Sequence, residues 1–428
     1  MATHATPKAL EEMKRGCNLY EQGRLLEARK SFEIALSYQD ELSPARFNLA
    51  VISRDLEEND KAKRLFMRLL QDGELTADAH NNLGVLSIRE QNYAAAESHF
   101  RKSVAARHDF PLAHFNLGMV LLRIEEYAEG WEQFEWRWKT ALYSSSRQFE
   151  PRWDGTYLDG TLHVYAEQGI GDTIQFARYL PYLAERCRRL VFTPLTTMNC
   201  LFSFPMGVDR DFEVRANVPG ESTADAAEFY DFAMPLMSAP SLLGIAHPLS
   251  TGTAKYLRWE KRKLDIESIR WEANELKVGI AWRGSPAHPD DAFRSAPLHF
   301  WRDLLLTADV SFYSLQIGNP ASELLYSGLP VVDLSKYQQD LADAAELIQK
   351  MDLIITVDTC LLHLAATIGL PTWAILSRRC DWRWSTTGKE STPWYESVRL
   401  FRQNQLNDWT ELLGRVKLAL EKLIASKQ

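Results

Sequence analysis

The chain has 428 residues, too many for one hydrophobic core, and its 46% hydrophobic and 25% charged content is that of an ordinary soluble protein of two to four domains. A net charge of −8 and a pI near 5.8 exclude a general nucleic-acid or anionic-membrane binder, so any phosphate site must be local. Five scattered cysteines (Cys17, Cys187, Cys200, Cys360 and Cys380) form no CxxC pair, and the amino terminus has no apolar signal core. Both features fit free thiols in a reducing cytoplasm, with no membrane insertion.

The first third repeats itself. Gly16, Ala50, Gly84 and Gly118 step by 34 residues, as do Ala28, Ala62, Ala96 and Gly130, and Phe32, Phe66, Phe100 and Phe134. A 34-residue period of small, small and aromatic anchors resembles the tetratricopeptide repeat, a helix–turn–helix unit whose members bury their faces only by stacking. Residues 1–142 are expected to form four such repeats. Asn48, Asn82 and Asn116 keep the same step, each before a leucine. Primary amides both donate and accept, so in the resembled repeats such a ladder would hold an extended peptide by its backbone; solvated surface amides are the plainer alternative. The run Trp131 to Lys139 carries Trp131, Phe134, Trp136 and Trp138, aromatic area expected to close the array against a following domain.

Residues 150–258 begin an α/β pattern. A strand runs from Thr161 to Ala166, a turn holds Gly169 and Gly171, and a helix is opened by Asp172. The two glycines suit a sharp bend with bare N–H groups open to a ligand, although GxGD falls short of the dinucleotide fingerprint. A simple cap is the commoner fate of Asp172. Further strands are expected at Leu190–Thr193, Phe212–Arg215 and Phe229–Ala233.

A charged connector from Trp259 to Glu275 leads to a second α/β layer, residues 272–428. Strands are expected at Lys277–Ala281, Val310–Leu315, Val331–Leu334, Leu353–Val357 and Thr372–Leu376. Helices are expected at Leu298–Leu306, Asp340–Lys350, Cys360–Gly369 and Asn407–Ile424. Such alternation implies a parallel sheet with helices on both faces, and two such sheets in series imply a cleft between them. Asp358 and Thr359 stand at a helix start, where side-chain caps and a partial positive charge are expected and a phosphate is suited. His363 follows Thr359 by four residues and shares its face; a satisfied core histidine is the plainer reading. Cys360 at the same helix start is either a thiol of lowered pKa or a small apolar filler. The loop after the first strand brings Arg283, His288 and Arg294 to that edge, and two guanidinium groups beside a helix start form a receptor for a diphosphate.

The segments AEQGIGDTIQFARYLP, GIAWRGSPAHPDDAFRS, DLIITVDTCLLHLAATIGLP, DWRWSTT and STPWYESVRLF resemble bacterial tetratricopeptide-repeat glycosyltransferases, relatives of the ADP-heptose heptosyltransferases and, more distantly, of the protein O-GlcNAc transferases. The resemblance implies a repeat array followed by a GT-B fold of two facing Rossmann-like layers. It implies a nucleotide-sugar donor on the second layer and an acceptor approaching the first, with the final helix packing back across both. It gives Asp172 the role of general base and sets Arg294, Asp358, Thr359 and His363 at the donor, where Gly169, Gly171 and Arg283 are expected to join them from the glycine turn and the arginine loop. An ordinary aspartate, with a pKa near 3.9, is a weak base, so burial would have to raise it. No His/Cys cluster has metal-ligand spacing, and an inverting, metal-independent transfer with no cofactor is expected. The acceptor is expected to be Ser or Thr of a protein held by the repeats. The alternatives are a cell-envelope sugar transferase, and an inactive repeat scaffold that binds protein partners.

Overall fold

A computed structural model describes residues 6–143, 149–202, 211–216, 229–251, 256–266, 269, 271–272, 275–386 and 388–427. The chain divides into two compact units, residues 1–145 and 146–428.

The first unit is an array of antiparallel helix pairs: α1 (Pro7–Glu21), α2 (Leu25–Tyr38), α3 (Ser43–Asp55), α4 (Asn59–Gln71), α5 (Thr76–Arg89), α6 (Tyr93–Ala106), α7 (Pro111–Arg123) and α8 (Tyr127–Phe134). The anchors do what the period implies. Phe32, Phe66, Phe100 and Phe134 are buried, and a Cβ at Gly84 would stand 2.6 Å from the Phe100 ring, so only glycine lets α5 and α6 approach this closely. The aromatic run after α8 folds onto its own last repeat: Trp136 stacks on His114 of α7 with ring centroids 3.9 Å apart.

The second unit holds two wholly parallel sheets. The first, in the order β3-β2-β1-β4, contains β1 (Leu158–Tyr165), β2 (Cys187–Thr193), β3 (Asp211–Val214) and β4 (Phe232–Pro235). The second contains β5 (Leu276–Ala281), β6 (Val310–Ser314), β7 (Val331–Asp333), β8 (Leu353–Val357), β9 (Thr372–Leu376) and β10 (Val398–Arg402). Its order is β10-β9-β8-β5-β6-β7. Strand β8 is buried along its whole length, which is why it reads as an unbroken apolar run. The final helix, Trp409–Ala425, packs its apolar stripe of Leu412, Leu413, Val416 and Leu420 into the core of this second sheet.

Each sheet reverses strand order beside its first strand, β1 against β4 and β5 against β8. Loops leaving neighbouring strands diverge at such a point, and a crevice opens at the strands' carboxyl ends. The helices that follow β1 and β8 pack against each other. They are α9 (Ile170–Phe176) and the Cys360–Ile368 helix. The expected helix at Leu298–Leu306 is broken: residues 298–305 form a 3-10 turn and one α-turn.

Candidate functional site

The crevice is built from the two facing helix starts. Helix α9 opens at Ile170 with Gly169 as its N-cap, two residues before the expected start at Asp172. Asp172 reaches back instead: its Oδ2 accepts the Gly169 amide at 3.0 Å, as an acidic residue in the third helical position does. Its Oδ1 accepts from Nη2 of Arg383, in an ion pair that crosses from the first sheet's helix to the second sheet. Asp172 therefore meets a guanidinium across the crevice and does not face an open gap.

Gly171 also departs from expectation. A Cβ there would stand 2.8 Å from Cδ2 of His363 and 3.7 Å from Cα of Cys360. The glycine serves the close approach of two helices, and Gly169 has an ordinary φ of −71°. Neither glycine makes the sharp bend that the sequence suggested.

On the opposite side, Asp358 and Thr359 follow β8. Thr359 has the extended backbone of an N-cap, but its hydroxyl makes no cap hydrogen bond and lies 3.5 Å from the hydroxyl of Thr356. Asp358 does not cap either; its Oδ2 accepts the indole N–H of Trp384 at 2.8 Å. The expected side-chain caps are absent because both side chains have partners elsewhere. Burial pushes the Asp358 carboxyl up to about 6, with repulsion from Asp381 adding, while Arg383, the Trp384 indole and Arg294 pull the other way. The same burial pushes the Cys360 thiol up, against Arg294 and the Leu361 amide, so it is no activated thiolate.

His363 is the satisfied core histidine. It is buried, Nδ1 lies 2.9 Å from the Tyr395 hydroxyl, and the ring packs against that of Trp384 at 5.4 Å between centroids. Burial, with Arg383 and Arg178 adding, holds its pKa well below the usual value, so the ring is neutral.

The two expected arginines part company. Arg294 lies across the Gly284 backbone, where a Cβ would come within 2.6 Å of Nη2, and its charge acts on both Asp358 and Cys360. Arg283 turns to Glu323, 2.6 Å away in an ion pair. His288 stays exposed and accepts the Asp290 amide within its own turn at 3.1 Å.

The residues that sequence reasoning left without a role are Arg383 and its neighbours. Asp381 caps the short turn Trp382–Trp384 by accepting the Arg383 amide at 3.1 Å. Arg402 of β10 holds the turn from below, donating to the carbonyls of Trp384 and Thr386. Burial opposes the charge of Arg383, but Asp381, Asp172 and Asp358 together keep it protonated. The signal was the run Asp381-Trp382-Arg383-Trp384, where an arginine between two tryptophans has no apolar face of its own and needs an anion.

The asparagine series is engaged within the array. Asn82 is buried; its Oδ1 accepts from Arg54 at 2.5 Å and its Nδ2 donates to the Asp78 carbonyl at 2.9 Å. Asn116 donates to Asn81 at 2.9 Å, and Asn48 donates to the Cys17 sulfur at 3.6 Å. Asn82 is thus buried with both ends of its amide engaged, whereas Asn48 and Asn116 are half-buried and keep acceptor capacity.

Residues 337–411 match the model of glycosyltransferase family 9 (heptosyltransferase), and residues 47–107 match a tetratricopeptide repeat. The chain carries tetratricopeptide repeats and a family 9 glycosyltransferase segment. The family 9 segment contributes Asp358, Thr359, His363 and Arg383 to the crevice; Asp172 and Arg294 lie outside it. Protein FlbA of Caulobacter vibrioides is 29% identical over 321 residues, which are 70% of this chain and 53% of that protein. The chain thus spans about half the length of that relative. The ADP-heptose lipopolysaccharide heptosyltransferase II of E. coli is 16% identical, with 62% of this chain and 99% of that one covered and a TM-score of 0.43. YrrB, a tetratricopeptide protein with an unusual peptide-binding site, is 19% identical over 31% of this chain and 69% of its own, with a TM-score of 0.27. Among the described residues, no helix is long and apolar enough to cross a membrane.

Proposed function

We propose that the protein is an inverting glycosyltransferase that moves a sugar from a nucleotide-sugar donor to a Ser or Thr hydroxyl of a protein bound by its repeats, in the cytoplasm. One observation carries the reading: Asp172, from the helix after β1, meets Arg383 from the facing sheet beside Asp358 and Arg294. A base and a cationic group for the leaving diphosphate thus come from opposite sheets, as sugar transfer requires. In this reading Asp172 takes the acceptor's proton. Arg294, Thr359 and the uncapped amides of the Cys360–Ile368 helix receive the diphosphate in place of a divalent ion. Arg283 joins them only by leaving Glu323. Asn48 and Asn116 carry whatever amide contact the repeats make with an acceptor.

A second reading, transfer to a cell-envelope glycan, draws on the heptosyltransferase description of the matching family. A thermal-shift screen with UDP-, GDP-, ADP- and CMP-sugars tests the donor, since a ligand at about 100 times its dissociation constant stabilises by about 2.7 kcal/mol. Transfer from the hit to protein and to glycan acceptors then separates the two readings. No shift with any of the four ends both and leaves a repeat scaffold.

A further inference from the structure

We infer that Arg383 is the group a donor diphosphate takes over, and that Asp172 holds this arginine, and is masked by it, until the donor arrives. The inference rests on the transferase reading and adds an order to it: donor first, base second.

A guanidinium binds a carboxylate or phosphate best side-on, through two parallel N–H groups. Arg383 uses its groups incompletely. Nη2 meets Asp172, Nη1 lies 3.4 Å from Asp381, and Nε has no hydrogen-bond partner although the side chain is only 10% exposed. The Nε–Nη2 face is therefore filled at one end by a single carboxylate oxygen and unsatisfied at the other. A buried N–H without an acceptor has lost its hydrogen bond to water and gained none in return. A phosphate with two oxygens on that face satisfies both.

The surroundings favour an exchange over a permanent bridge. Arg402 and Asp381 fix the backbone that carries Arg383, and the Trp382 ring lies 5.1 Å from the guanidinium, so the head group moves on a fixed stem. Asp172 loses only one of its two partners when Arg383 leaves. The Gly169 amide still holds Oδ2 at 3.0 Å, which keeps the carboxylate oriented and frees Oδ1 for the acceptor's proton. Without a donor, that oxygen is covered.

Titration of the full chain with inorganic pyrophosphate by calorimetry tests this. Asp172→Asn should tighten pyrophosphate about tenfold, because close charge pairs are strongly coupled, and the same substitution should change nothing in an Arg383→Lys background. Equal tightening in both backgrounds means simple loss of a negative charge and overturns the exchange; so does no tightening in either. Should Arg383→Lys fail to fold, Asp381→Asn replaces it as the control, and it must tighten pyrophosphate less than Asp172→Asn does. A wild-type chain that turns over a sugar nucleotide but has no affinity for pyrophosphate overturns the exchange alone. The expected pattern without any sugar-nucleotide turnover keeps the exchange and removes the transferase reading.

Discussion

Asp172 and Arg383 stand 211 positions apart in the chain and share an ion pair between two sheets. Two neighbouring contacts span the same junction: Arg178 donates to the Trp394 carbonyl at 2.9 Å, and the Tyr256 hydroxyl lies 3.0 Å from that of Thr367. Burial makes each of these costly to break, since an abandoned polar group loses both its partner and water.

The first prediction concerns Asp172 itself. Asp172→Asn keeps an oxygen for the Gly169 amide but removes the charge and the proton acceptor. Under the proposed mechanism, turnover should fall about 10²- to 10⁴-fold, while loss of the ion pair to Arg383 lowers the melting temperature without unfolding the chain at the assay temperature. Steady-state transfer from the donor found in the thermal-shift screen measures the first quantity and circular dichroism the second. Undiminished turnover removes Asp172 from the chemistry.

Asp358 predicts a pH dependence of stability. Its folded pKa, about 6, lies above the ordinary 3.8, so the folded state binds a proton more tightly than the unfolded chain does. That contribution is fully present below about pH 4 and is lost as the pH rises through 6. Asp358→Asn, which still accepts from the Trp384 indole, should abolish this component. Melting curves of both proteins between pH 4 and 8 should therefore diverge in the variant's favour as pH rises, levelling off above 7. Parallel curves across that range mean the buried carboxyl does not titrate there.

Gly171→Ala probes the junction without touching a charge. The new methyl would stand 2.8 Å from a His363 ring that contacts both Tyr395 and Trp384, and overpacking of this kind costs about 1–3 kcal/mol. Gly169→Ala faces only the Asp172 carboxylate at 3.1 Å and should cost less. Urea denaturation of the two variants gives the order, and a reversed order contradicts the role assigned to Gly171.

Much of this architecture is legible in the sequence for physical reasons that differ between elements. The repeats read clearly because each unit must bury the same small and aromatic faces, so a 34-residue step survives in the letters. Strands β8 and β9 read to the residue because both are buried and bounded by Asp358, Pro371 and Ser377. The site reads less well, because its pairings join distant positions. Nothing near Asp172 announces Arg383, and nothing near Arg283 announces Glu323. Gly171 looked like a turn glycine because its neighbour, the His363 ring, arrives from another sheet. The asparagine ladder kept its period, but period alone does not say whether an amide faces a peptide or, like Asn82, an arginine of the preceding repeat.

The asparagines give the last prediction. Asn82→Ala removes, at a buried position, the acceptor of Arg54 Nη1 and the donor to the Asp78 carbonyl, while Asp55 still holds Nε and Nη2 of Arg54, so it should destabilise the array by about 1–3 kcal/mol, whatever the repeats bind. Asn48→Ala and Asn116→Ala remove amides that are only half-buried and should leave the melting temperature close to wild type. If the repeats hold an acceptor polypeptide, these two variants should raise the KM for a protein acceptor while leaving sugar-nucleotide binding intact, because the donor groups lie in the other unit. Acceptor kinetics and donor titrations on the same three variants separate fold from recognition. Unchanged acceptor KM in both half-buried variants would take the amides out of recognition and leave stabilisation of the stack as their role.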